Sequence, residues 1–112
     1  MIASLSPNAD VDLMDVLRYT EREFGRPARQ RYLELIRQSL KDVASIEPTE
    51  MEQLTVLGQT MFIYHLRRSC LNVPASIGRV GRPRHVLVCR RTTNGVEVIR
   101  ILHDRADPER WV

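Results

Sequence analysis

A chain of 112 residues, 43% hydrophobic and 28% charged, suits one compact domain spanning 1–112 with one modest core. No run approaches the roughly 18 to 20 apolar residues of a membrane helix, and the opening MIASLSPNADVD lacks the basic-then-apolar order of a signal peptide, so no membrane role and a cytoplasmic location are expected. Residues 1 to 64 carry seven Lys/Arg against ten Asp/Glu, residues 65 to 112 carry ten against four, and every cation but Lys41 is an arginine, which points the planar forks of the C-terminal half at an anionic partner.

In chain order, IASL reads as a short strand, and Ser6-Pro7-Asn8 supplies a cap and a helix-opening proline. From Ala9 to Phe24, Leu13, Val16, Leu17 and Phe24 recur at steps that build one helical face, with Asp10, Asp12, Asp15, Glu21 and Arg22 on the other. Gly25 and Pro27 stop this helix and open the next, expected from Pro27 to Ser45 on Ala28, Tyr32, Leu35, Ile36, Leu40 and Val43. So short a turn implies an antiparallel helical hairpin. Pro48, Thr49 and Glu52 then resemble a capped short helix.

Beyond this point the texture becomes that of strands. TMFIYHLRRSCLNV (60–73) reads as one long strand, with room for a bulge between Leu66 and Cys70. PASIGRVGRPR (74–84) is a basic loop broken by two prolines and two glycines. HVLVC (85–89) is apolar enough to be buried on both faces. Asn94-Gly95 signals a type I′ hairpin into the returning strand VEVIRILH (96–103). The expected fold is α+β: an N-terminal strand and an antiparallel two-helix hairpin packed on a small, mainly antiparallel sheet.

Chemistry-bearing residues are sparse. Cys70 and Cys89 have no CxxC or Cys/His ligand spacing and read as buried free thiols. His65 and His85 read as hydrogen-bonding residues of the sheet surface, and no acid is placed with the histidines to complete a metal site. No metal and no cofactor are expected. HDRADPERW gathers polar residues at the exit of the last strand, where Asp107-Pro108 can cap a helical turn and Trp111 can cover the core edge.

Several stretches resemble the RelE/ParE superfamily, the toxins of type II toxin-antitoxin pairs, and within it the ParE branch. LSPNADVDLMDVLRYTEREFG is similar to that branch's first helix at Ala9, Asp12-Leu13, Tyr19-Thr20 and Phe24-Gly25. ARQRYLELIRQSL is similar to the second helix at Ala28, Tyr32 and Leu33. YHLRRS, PRHVLVCRR and GVEVIRILHDRADPER look like the consecutive strands and tail, so the likeness runs collinearly over about nine tenths of the chain. Cys89 stands where an aromatic residue is usual, and Ala106 where a larger hydrophobic one is.

The resemblance implies a toxin that poisons DNA gyrase by binding and is neutralised by a cognate ParD-like antitoxin with an acidic or amphipathic tail. On that reading Arg68, Arg82, Arg84, Arg105, Asp107 and Trp111 meet the target or the antitoxin. The RelE side of the superfamily implies an alternative, a ribosome-dependent mRNA endonuclease. It would use His103 for proton transfer and Arg67, Arg90 and Arg91 on the phosphate. The C-terminal tyrosine and lysine cluster usual in those enzymes are missing, and for His103 a hydrogen bond to backbone or Asp107 is the alternative role. Cys89 and Ala106 also leave open a degenerate toxin that only binds antitoxin.

Overall fold

The computed structural model describes residues 2–112. The order is β1 (Ser4–Leu5), α1 (Pro7–Phe24), α2 (Arg26–Val43), β2 (Glu52–Val56), β3 (Gln59–His65), β4 (His85–Thr92), β5 (Gly95–His103) and α3 (Pro108–Trp111). The five strands lie in the order β1-β5-β4-β3-β2, antiparallel except where β1 runs parallel to β5. The α+β architecture expected from the sequence is the one present. No helix among the described residues is long and apolar enough to cross a membrane.

The helices begin and end on local chemistry. The Ser6 side chain accepts a hydrogen bond from the Ala9 amide, pairing one of the donors that a helix start leaves open. Gly25, at φ 90°, ends α1 and starts α2, a conformation that costs a side-chain-bearing residue more than glycine. One helical face, including Ala9, Val16, Leu17, Tyr32, Leu35, Ile36 and Val43, packs onto Tyr64, Leu87, Cys89, Val98 and Ile101 of the sheet. A smaller cluster of Met61, Val86, Val88 and Leu102 lies on the opposite sheet face.

Several local expectations fail, each for a physical reason. The short helix expected around Pro48 to Glu52 is a single 3-10 turn, Pro48–Glu50, with a capping box between Glu47 and Glu50. Glu52 instead opens β2, whose hairpin to β3 turns on Leu57 (φ 50°) and Gly58 (φ 78°), the backbone signature of a type I′ turn. The long strand expected over 60–73 stops at His65, because the His65 side chain accepts from the Arg67 amide and caps a 3-10 helix, Leu66–Asn72. Ser69 anchors that helix by bonding both Tyr64 Oη (2.6 Å) and Asp42 Oδ2 (2.6 Å).

The turn between β4 and β5 is built from Thr93 and Asn94, closed by the Thr92–Gly95 pair, and neither turn residue has positive φ. The type I′ turn expected at Asn94-Gly95 is therefore replaced by one held through Thr92, whose hydroxyl accepts from the Asn94 amide. Phe24, assigned by spacing to the core face, is 68% exposed, because it closes α1 beyond the part of the helix that packs on the sheet.

A register shift between Val88 and Cys89 leaves Ile99 without a partner on β4. Such a bulge switches which face the following side chains take. Val98 and Ile101 thus both join the helix-side core while Ile99 and Leu102 point to the other face. The same switch turns His103 toward the helices.

Candidate functional site

Cross-strand register sets His85 directly opposite His103, with ring centroids 5.7 Å apart in an edge arrangement. On the helix side, Tyr32 Oη lies 2.6 Å from His85 Nδ1 and accepts from the Arg84 amide at 3.2 Å. Burial, and secondarily the neighbouring His103, lowers the His85 pKa to about 4, while burial pushes the Tyr32 hydroxyl up to about 12. At neutral pH both are uncharged, so the tyrosine donates and the imidazole accepts.

Around the end of the sheet the string continues onto the other face. Asp104 Oδ2 lies 3.1 Å from His65 Nε2, and its Oδ1 lies 3.2 Å from Arg84 Nη2 and 3.4 Å from His103 Nδ1. Because His65 Nδ1 already accepts from the Arg67 amide, its proton sits on Nε2 and is donated to Asp104. That bond, and next among the favourable causes the Arg84 guanidinium, holds the Asp104 carboxyl below the ordinary aspartate range. His103 Nδ1 likewise accepts from the Arg105 amide at 3.1 Å.

Two clefts flank this string. The first, of about 850 Å³, lies between the helical hairpin and the basic loop and includes Tyr19, Phe24, Tyr32, Arg31, Arg82 and His103 in its lining. The second, of about 740 Å³, lies on the opposite sheet face and includes His65, Arg67, Arg68, Asp104, Arg105 and Asp107. Among the described residues no group of three His, Cys, Asp or Glu side chains has a metal-binding arrangement.

The residues singled out in the sequence therefore fall in different places. His103 sits at the exposed end of β5 and lines the first cleft. Arg67 and Arg105 line the second cleft, where Arg68 also lies, bonded to the Glu50 carbonyl at 3.1 Å and 5.4 Å from the Tyr64 ring centroid. Arg82 and Arg84 line the first. Arg90 and Arg91 stand at the other end of β4, opposite Glu97 and Val96, about 17 Å along the strand from His85 at some 3.3 Å per residue. Arg90 is paired there with Glu97 at 2.8 Å.

Asp107 caps α3 by accepting from the Glu109 amide, and His103 bonds the Arg105 amide instead of this carboxylate. Trp111 does not close the core edge as the sequence reading expected: its side chain is turned out, the residue is 52% exposed, and its carbonyl accepts from Arg100. Cys89 is wholly buried, with its thiol pushed up to about 12 by burial, and both cysteines are free. Sequence reasoning missed Tyr32 and Asp104 as members of the site. Only the register of β4 against β5 and the packing of α2 bring them to the histidines.

The sequence profile of the family described as ParE toxin of type II toxin-antitoxin system, parDE, matches residues 3–108. A comparison with curated proteins returned no match.

Proposed function

Since the chain belongs to the ParE toxins of type II toxin-antitoxin systems, we propose that it arrests growth by binding and poisoning DNA gyrase and is held silent by a cognate ParD-like antitoxin. The observation that carries a binding mode of action is the separation of Arg90 and Arg91 from the histidine end of the sheet. His85 and Tyr32 are locked to each other as a neutral pair, and Arg90 and Arg91 lie a strand's length from His103. Phosphodiester cleavage needs acid, base and cation around one phosphate. An extended arginine surface, by contrast, serves recognition wherever its members lie.

Antitoxin binding suits the same surface. The outer strand β2 leaves one edge without a partner in the sheet, which allows strand addition by an extended segment. Arg67, Arg82 and Arg105 are exposed on the cleft rims, where the carboxylates of an acidic tail can meet them.

One observation favours the message-cutting alternative. The second cleft holds His65 bonded to Asp104 together with Arg67 and Arg105, and the same Asp104 lies 3.4 Å from His103 Nδ1. Replacing His103 by alanine separates the readings in a growth-arrest assay. A binder keeps its toxicity within a few-fold, whereas an enzyme relying on this imidazole loses about 100-fold or more in rate. Loss on that scale, with the variant still folded, contradicts the binding reading.

A further inference from the structure

We propose that the cleft between the helical hairpin and the 74–84 loop is a nucleotide site, taking the base against Tyr19 and Phe24 and the phosphate between Arg31 and Arg82. Its volume of about 850 Å³ falls within the roughly 300 to 1,000 Å³ of small-molecule sites. Tyr19 and Phe24 line it while remaining half or more exposed, so their rings are available as stacking surfaces. Tyr19 already carries the flat guanidinium of Arg22 at 5.7 Å from its ring centroid.

Positive charge in this cleft is in excess. Arg31 and Arg82 have no hydrogen-bond or ion-pair partner among the described residues, and Arg79 bonds only the carbonyls of Val73 and Leu71, which leaves its charge whole. Asp15 is the one carboxylate in the lining, while Arg84 is paired with Asp104. A concave surface with this excess concentrates anions, and guanidinium forks match phosphate oxygens two at a time.

Arg31 is also held in position. Gly78 has φ 100°, and a Cβ there would stand 2.7 Å from Arg31 Cδ, so the bare glycine lets the arginine stem lie across the loop. The floor, in contrast, offers few free polar groups: Tyr32, His85 and Thr20 are bonded to each other or to backbone. Such a floor reads base identity weakly, and affinity comes from ring and phosphate acting together.

The proposal does not depend on gyrase or antitoxin, and its test uses neither. The 112-residue chain is titrated calorimetrically with adenosine 5′-monophosphate, adenosine, inorganic phosphate and a short oligonucleotide bearing a 5′-phosphate. The expected result is a Kd for the mononucleotide below about 1 mM, at least tenfold tighter than for adenosine or phosphate alone. A double variant, Arg31→Gln with Arg82→Gln, weakens it at least about tenfold, while Arg90→Gln with Arg91→Gln at the far end of the sheet leaves it within about twofold.

Tighter binding of the oligonucleotide assigns the cleft to a strand end, and equal binding assigns it to free nucleotide. Phosphate binding as tightly as the nucleotide, adenosine doing so, an unaffected double variant, or no binding at about 10 mM each overturns the site.

Discussion

Acidification is expected to weaken the fold through one histidine. His85 is held neutral by burial against Tyr32, with its pKa lowered from 6.5 to about 4. Between these values the unfolded chain binds a proton that the folded chain refuses, so stability falls as pH falls through the window and levels off below about pH 4. Integrating the proton difference from about pH 7.5 to about pH 5 gives a loss of about 2 kcal/mol. With an unfolding entropy of about 2.1 cal/mol/K per residue, that loss lowers Tm by about 8 °C. The assay is urea unfolding at both pH values, comparing the unmodified chain with His85→Gln, whose side-chain carbonyl can still accept from Tyr32. The difference between the two pH profiles isolates His85 from the other titrating groups. A loss under about 0.5 kcal/mol in the unmodified chain, or an equal loss in the variant, refutes the reasoning.

Asp12 is expected to matter for stability well beyond its place on a helix surface. It accepts from Arg100 Nε at 2.7 Å, Arg100 Nη2 at 2.9 Å and the Ile101 amide at 2.9 Å, and both side chains are largely shielded. Asp12→Ala should cost about 3 kcal/mol, with a coupling to Arg100→Met above about 1 kcal/mol in a double-mutant cycle of urea unfolding. Leu57 occupies a left-handed turn position at φ 50° and is 96% exposed. Leu57→Asn should raise stability by about 0.5 to 1 kcal/mol, read as a higher urea midpoint at unchanged slope.

The sequence made the helical half legible because its signals are local. The Ser6 cap, the three- and four-residue spacing of apolar residues and the Gly25-Arg26-Pro27 corner all act within one turn of chain. β2 was missed because EQLTV lies at the sheet edge and its alternation rests on only two apolar residues, Leu54 and Val56, too few to mark a strand. LRRSCLN follows the β-favouring TMFIYH and reads as its continuation, but it holds no β-branched or aromatic residue and forms a 3-10 helix held by side-chain bonds from His65 and Ser69. Asp12 read as part of a solvated face, and its partner Arg100 lies 88 residues further along.

The site was legible only in part, for the same reason. His103 and the arginines stand out by residue type. Their grouping, however, depends on the His85–His103 register and on the bulge at Val88/Cys89, which no composition or spacing encodes.

The central claim, that this ParE toxin poisons gyrase by binding, is tested most directly by incubating the antitoxin-free chain with purified gyrase and supercoiling substrate, beside a translation reaction probed for message integrity. The account predicts stabilised DNA breaks and lost supercoiling with message intact. Normal supercoiling with cut message contradicts it, and would turn attention to His103 and the His65–Asp104 cleft.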